Sequence, residues 1–371
     1  MVQRESSSYY LILTTALLTA IGLIFIYSAS SISAGQRYDD MFYFVKRQSI
    51  AICLGVFSCL VLYRFPMKFW YKTSFWFYLL SIALLAATFI PGIGRTVNGA
   101  TRWISFAGFS FQPAELTKLT MILLTAKNLS RPKFSGLDNN WALIGCFLPI
   151  LPAAILLMIQ PDFGSTFLIC CLVFSMLFVS GLKWRIVSGL GVLAVSLVIG
   201  AVIAAPYRMA RLTSFLNPWD HAQGSGFQII QSYLGFFNGG WFGLGIGSSV
   251  QKLYFLPEAH TDFILSVIGE ELGLAGILLI IAIFTYLLFL CISIAERAST
   301  LFTRLLCFGL TVWLALQTIL NMGVAMGLLP TKGMTLPFIS HGSSSLILCF
   351  WAITLIVRIN QEDIGAGKRH T

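Results

Sequence analysis

Residues 263–292 read FILSVIGEELGLAGILLIIAIFTYLLFLCI. Beyond Glu270 and Glu271 the run carries no charge. A stretch this long and apolar crosses a bilayer as an α-helix, since about 20 residues rising 1.5 Å each span the ~30 Å hydrocarbon layer. The rest of the chain has the same character. Hydrophobic residues make up 57% of the 371 positions, charged residues 10%, and the mean hydropathy is +0.84. A soluble domain carries about 25% charged residues. The sequence therefore predicts an all-α polytopic membrane protein, to which counting soluble domains by length does not apply.

Further apolar runs lie near 9–31, 48–64, 74–92, 141–159, 163–182, 187–205, 304–328 and 339–358, and a weaker one near 112–127 carries Glu115 and Lys118. Together these predict about ten transmembrane helices, with both termini on one side. The distribution of basic residues says which side. One set of connections holds Arg4; Arg64, Lys68 and Lys72; Lys127, Arg131 and Lys133; Lys183 and Arg185; Arg297 and Arg304; and Arg358, Lys368 and Arg369, all in short segments. The other set holds Arg37, Lys46, Arg47, Arg95, Arg102, Arg208, Arg211, Lys252 and Lys332, diluted over longer loops. Both termini are expected in the cytoplasm, and the long loop at about 206–262, between spans seven and eight, outside. Omitting the weak span would reverse everything after it and spoil the asymmetry. No repeat or soluble domain interrupts the pattern, so residues 1–371 read as a single membrane domain.

The net charge of +10 is thus largely a topology signal. It is not the footprint of a nucleic-acid-binding protein, because no basic run combines with an aromatic platform on a soluble domain. The first apolar run outlasts the core of about 7–15 residues typical of a cleavable signal and reads as a retained anchor. Cys53, Cys59, Cys146, Cys170, Cys171, Cys291, Cys307 and Cys349 all lie within apolar spans, away from any oxidising loop, and read as core residues. No Cys/His cluster marks a metal.

Ahead of the opening run, residues 217–263 read NPWDHAQGSGFQIIQSYLGFFNGGWFGLGIGSSVQKLYFLPEAHTDF. Long connections tend to be functional. This one gathers scarce chemistry: the chain has 14 acidic residues and four histidines, yet Asp220, His221, Glu258, His260 and Asp262 fall here. Asp262 stands where the loop re-enters the membrane, and a partly desolvated carboxylate suits a general base. The plainer reading is that Asp262 or Thr261 caps the following helix, and the two roles are compatible. Glu258 and His260 flank it; His260 can orient a carboxylate, contact an anionic substrate or serve as a structural residue. Glu270 and Glu271 lie about two turns into the span. A charge at mid-membrane costs about 2.5–3.5 kcal/mol, so each needs a partner or water.

Glu115 and Lys118 stand three apart in Gln112-Pro113-Ala114-Glu115-Leu116-Thr117-Lys118, on one helix face, where a structural ion pair is expected ahead of direct substrate contact. Pro113 suits the first turn of that helix. Arg102 and Trp103 sit in an outward loop, the first able to bind phosphate and the second to stack on a sugar or anchor at the interface. Lys332 is the only charge in the turn Leu329–Ser340 and can meet a phosphate. Ser343, Ser344 and Ser345 open the last helix, whose free N–H groups favour an anion or a carbonyl.

Six strings together carry a specific resemblance: QPAELTK at 112–118, QPDFGST at 160–166, NPW with GSGFQ at 217–228, SVQKLYFLPEAHTDF at 249–263, IGEELG at 268–273 and LPTKGMTLPFIS at 329–340. The chain resembles the SEDS family (shape, elongation, division and sporulation), bacterial membrane glycosyltransferases that polymerise lipid II into peptidoglycan. The resemblance spans essentially the whole chain and is nearer the division branch than the elongation branch. It implies that Asp262 is the carboxylate essential for polymerisation, that Glu115 and Lys118 are the charged pair of the fourth span, and that Trp103 is a sensitive tryptophan. His341-Gly342-Ser343 replaces the Tyr-Gly-Gly usual there, and the Asp220–Gln223 stretch also differs. Roles for His341 and His221 therefore do not carry over.

The implied reaction is an inverting transfer. Asp262 takes the proton from the acceptor GlcNAc 4-hydroxyl, and that oxygen attacks the anomeric carbon of the donor MurNAc, expelling undecaprenyl diphosphate. The leaving group needs cationic stabilisation, for which Arg102, Arg208, Arg211, Lys252 and Lys332 are the outward candidates. The candidate substrate-binding set is Arg102, Trp103, Glu258, His260, Lys332 and Ser344. A divalent cation would suit the diphosphate, though no ligand cluster announces one. Expected partners are lipid II, a class B penicillin-binding protein transpeptidase, other divisome proteins and membrane lipid, at the septal inner membrane. The competing readings are a lipid II flippase, an elongation-type polymerase and a non-catalytic scaffold. Transport sites usually lie near the midplane, and a scaffold gives no reason for a desolvated carboxylate.

Overall fold

The computed structural model describes residues 2–369 apart from 98, 107–108, 132–144, 182–187, 190, 193–195, 197–198, 201–202, 204–205, 225, 253–255, 257–258 and 332. Most of the seventh expected span, and the candidates Glu258 and Lys332, lie outside the described residues. The elements run α1 Val2–Tyr38, α2 Tyr43–Tyr63, α3 Met67–Ala87, β1 Gly94–Val97, β2 Ala100–Phe106, β3 Phe109–Phe111, α4 Pro113–Leu129, α5 Ile150–Ile159, α6 Phe163–Val179, α7 Pro206–Leu216, a 3₁₀ turn Pro218–His221, α8 Phe227–Gly239, α9 Ile264–Arg297, α10 Leu301–Ala325 and α11 Ser343–Arg369. Among the described residues, five helices (6–38, 43–63, 264–297, 301–325 and 343–365) are long and apolar enough to cross a membrane, and apolar helices at 145–159 and 163–179 are shorter.

The weak fourth span is the hub of the bundle. Helix α4 starts with Pro113 in its first turn and buries every residue but Lys127, packed against α3, α6 and α10. A helix enclosed by protein needs no lipid-grade hydropathy, which is why its sequence signal is faint. Outer helices such as α2 instead turn Phe57, Leu60 and other large apolar chains outward, as a lipid-facing surface does.

Two features break the plain helical pattern. The loop after α3 is a three-stranded antiparallel sheet pairing Arg95 with Trp103 and Ile104 with Phe111. Secondly, α9 is interrupted at Gly273, whose φ of 67° and ψ of −165° are not helical. The segment after α8 fills that break. Leu244 N and Gly245 N donate to the carbonyls of Glu270 and Glu271, while Leu274 N and Ala275 N donate to the carbonyls of Gly240 and Trp241, all within 3.1 Å. Glycine is required on both sides of the junction: a Cβ on Gly243 would fall 2.2 Å from the Glu271 oxygen, and both Gly243 and Gly273 have positive φ. Among its described residues, the expected loop 206–262 holds two helices and a 3₁₀ turn.

Candidate functional site

Three segments far apart in sequence meet at the loop-side end of the bundle. Asp262, half-buried, stands two residues before the first residue of α9. Its carbonyl accepts from Asn321 Nδ2 at 3.1 Å, and the same amide reaches the Met334 carbonyl at 2.6 Å. Two residues earlier, the His260 carbonyl accepts from His341 N at 2.9 Å. The turn between α10 and α11 is thereby laced to the Asp262 loop. Asp262 Oδ2 comes within 3.4 Å of the place a Cβ on Gly333 would occupy, so the carboxylate lies in van der Waals reach of Gly333.

Gly333 also lines a cleft of about 100 Å³ shared by Arg102, Pro161, Asp162, Phe163, Arg208, Arg211, Pro330 and Thr331. Three of the candidate cations thus line one cleft with Gly333, the residue next to the Asp262 carboxylate. Arg102 projects from β2 and donates through Nε and Nη2 to the carbonyls of Gln160 and Pro161, at 3.1 and 2.5 Å. Arg208 on α7 lies 5.3 Å over the Phe163 ring, and Arg211 one turn later donates to the Thr331 carbonyl at 3.4 Å. Asp162, the one acid lining the cleft among the described residues, is occupied in capping α6 through Ser165. Three guanidinium groups against one capped carboxylate make this a place for an anion, with forked N–H donors matched to phosphate oxygens.

The other candidates are held elsewhere. Lys252 is not available as an outward cation: its Nζ pairs with Glu271 at 2.9 Å and donates to Ser28 Oγ and the Gly247 carbonyl. Glu270, fully buried, accepts from Ser249 Oγ and from the backbone N–H of Val250 and Gln251. Groups from the long loop meet both glutamates, and Ser28 of α1 joins them at Glu271. Ser344 Oγ accepts from Gln112 N at 3.0 Å and donates to the Ser110 carbonyl at 3.2 Å, so it ties α11 to the start of α4. Ser345 is similarly bonded to Gln317 and Thr335. Trp103 is half-buried in the sheet beside Arg95.

The assigned cap position of α9 is Phe263, one residue after Asp262. The Glu115–Lys118 pair is present as expected, with Nζ to Oε1 at 2.5 Å, both residues buried and Lys118 lying 5.7 Å from the Trp313 ring. His260 packs 4.1 Å from Phe44 and 5.7 Å from His341, and burial pushes its pKa down to about 4, keeping it neutral at physiological pH. A larger cavity of about 850 Å³ lies between Phe174, Phe178, Val192 and Phe308, and among the described residues its lining carries no titratable group. Among the described residues no group of three or more His, Cys, Asp or Glu could hold a metal.

A family model described as cell cycle protein, FtsW/RodA/SpoVE, matches residues 8–364. The chain is 43% identical, over 99% of its length and 93% of the relative, to a probable peptidoglycan glycosyltransferase FtsW of Thioalkalivibrio sp. (strain K90mix). It is 42% identical to one so described from Geobacter metallireducens (strain ATCC 53774 / DSM 7210 / GS-15), over 97% of this chain and 96% of that one. Among solved structures, one reported as structural coordination of polymerization and crosslinking by a peptidoglycan synthase complex superposes with a TM-score of 0.78 at 31% identity, covering 96% of this chain and 98% of that one. The Thermus thermophilus rod shape determining protein RodA gives a TM-score of 0.70 at 27% identity, covering 95% and 96%.

Proposed function

The chain belongs to the FtsW, RodA and SpoVE family of cell cycle proteins, and from that premise we propose that it is a peptidoglycan glycosyltransferase of cell division, with Asp262 as its general base. Relatives of about 40% identity described as peptidoglycan glycosyltransferases support the activity. The observation that carries the site assignment is the junction at Gly333, where the Asp262 carboxylate and the cleft of Arg102, Arg208 and Arg211 stand side by side.

Each part then has a task. The acceptor hydroxyl gives its proton to Asp262 as it attacks the anomeric carbon of the lipid-linked donor. The bond from that carbon to the diphosphate oxygen breaks, and the negative charge that develops there falls among the three guanidinium groups. Inversion in one step needs a single base, so a second carboxylate at fixed spacing is not required. Lys332 and Glu258 belong to the same proposal as substrate contacts, by their places in sequence beside Gly333 and His260. Trp103, on the strand that carries Arg102, suits a sugar face. The Glu115–Lys118 pair acts as a structural strut of the hub helix.

Lipid II is the proposed substrate, and a class B penicillin-binding protein the proposed partner, with both termini cytoplasmic. The solved peptidoglycan synthase complex that this chain resembles supports a crosslinking partner. The deciding experiment is polymerisation of purified lipid II by the purified protein, alone and with its transpeptidase. Glycan strands are expected; their absence in both conditions would remove the proposal.

A further inference from the structure

From Ala222 to Gln251 the sequence carries no Asp, Glu, Lys, Arg or His. An uncharged loop of that length is unusual for a segment that faces only water. Within it, Phe237 is 82% exposed, Trp241 71%, Phe242 86% and Ile246 65%. Helix α8 buries Ile229, Ile230, Ser232, Gly235 and Gly239 against its neighbours, so these large chains are the ones left outside.

Two helical rulers give the level of this turn. Ser28 of α1 donates to Glu271 at 2.5 Å, so the break in α9 lies level with Ser28. From Ser8 to Ser28, α1 rises about 30 Å, the thickness of the hydrocarbon layer. From Gly273 to Arg297, α9 rises about 36 Å, enough to cross that layer with Arg297 among the headgroups. Both rulers put the α9 break, and the turn bonded into it, at the loop-side boundary of the bilayer.

The backbone of the turn is prepared for that level. Irregular chain in lipid is tolerated only where its polar groups are satisfied internally. Here four N–H donors and four carbonyls are matched across the α9 break, through Leu244, Gly245, Leu274 and Ala275. The exposed side chains also continue the outward apolar surface of α9 at Leu274 and Leu278. Water would leave a contiguous apolar patch unpaired, whereas Trp and Phe at the headgroup level are favoured.

We propose that the turn from Phe237 to Ile246 is a lipid-seated wedge, its aromatic chains entering the loop-side leaflet beside the α9 break. The occupant is bilayer lipid. The wedge anchors the long loop at a fixed height above the membrane, and that loop ends at Asp262. Lipid contact does not depend on the transfer reaction, so a failed polymerisation assay would leave this proposal standing.

The test uses the full chain in nanodiscs of phosphatidylethanolamine and phosphatidylglycerol, without a partner protein. A photoreactive benzoylphenylalanine replaces Phe242, and for comparison Leu278 on the α9 lipid face or Gln223 on the exposed loop. After irradiation, mass spectrometry is expected to find phospholipid adducts at 242 and 278 and none at 223. An adduct at 278 with none at 242, or an adduct at 242 only to a co-purified protein, overturns the proposal. A second measurement needs only a conservative change. Lipids brominated near the glycerol end should quench a component of the tryptophan emission that Trp241→Phe removes; an unchanged quenched component overturns the proposal as well.

Discussion

The side-chain amide of Asn321 bridges the carbonyls of Asp262 and Met334, at 3.1 and 2.6 Å. Buried on α10, it fixes the distance between the loop bearing the proposed base and the turn that lines the arginine cleft. Asn321→Ala would leave two carbonyls short of a donor, at about 1–3 kcal/mol for each group left buried. We expect a lower melting temperature and a fall of about tenfold or more in polymerisation rate. Rates equal to wild type at a temperature where both proteins are folded would show that the bridge does not position the base.

The arginine cleft makes a second prediction. Arg208→Ala and Arg211→Ala should each cost about 10–100-fold in polymerisation, since a hydrogen bond to a charged group contributes about 1.5–3 kcal/mol. Lysine at either position should restore part of the loss, because charge survives while the fork does not. Arg102→Ala should also lower stability, since Arg102 braces the Gln160 and Pro161 carbonyls. Kinetics on lipid II beside thermal melts would separate these effects, and an unaffected Arg208→Ala enzyme would take that residue out of the cleft's work.

Much of this arrangement was legible in the sequence, and what was not has physical reasons. The apolar runs marked α1, α2, α9, α10 and α11, because a membrane span must be apolar throughout. The i, i+3 spacing gave the Glu115–Lys118 pair directly. The sheet at 94–111 went unread: its strands are short and interleaved with turns, although Asn98-Gly99 between two β-prone stretches is a hairpin cue. The break at Gly273 hid inside an apolar run, since hydropathy does not register backbone direction. Lys252 passed for an outward cation because its partner Glu271 stands in a different element. Arg102, Arg208 and Arg211 were each visible, but only the fold brings them around one cleft.

For the ion pair, Glu115→Ala should lower abundance as well as activity. Lys118 is then left buried without its carboxylate, and breaking a buried pair costs about 3–5 kcal/mol. Glu115→Ala combined with Lys118→Ala should be milder than either change alone. Normal abundance with equal loss of activity in all three variants would point to a catalytic role instead.

His260 sets a pH window. Its folded pKa, pushed down to about 4 by burial, lies below the ordinary value of 6.5. Between those values the unfolded chain binds the extra proton, so stability contributed by neutral His260 is present above pH 6.5 and is lost as pH falls toward 4. The slope is at most about 1.4 kcal/mol per pH unit. His260→Phe, which keeps the contact with Phe44, should flatten the melting temperature across this window. An unchanged slope would place the acid sensitivity on other groups.

Asp262→Asn decides between enzyme and flippase. The substitution keeps the shape of the side chain and removes its basic carboxylate. Asparagine caps a helix as well as aspartate does, so the start of α9 keeps whatever support this side chain gives it. The Asn321 bridge is also retained, because it uses the Asp262 backbone carbonyl. Abundance and partner binding should therefore stay near wild type, while polymerisation falls by about 10²–10⁴-fold, the usual contribution of a general base. A flippase that used the long loop only as a gate would lose little lipid movement and would have no polymerisation to lose. Glycan synthesis by Asp262→Asn at close to the wild-type rate would remove Asp262 from the mechanism, leaving the arginine cleft without the base that the geometry sets beside it.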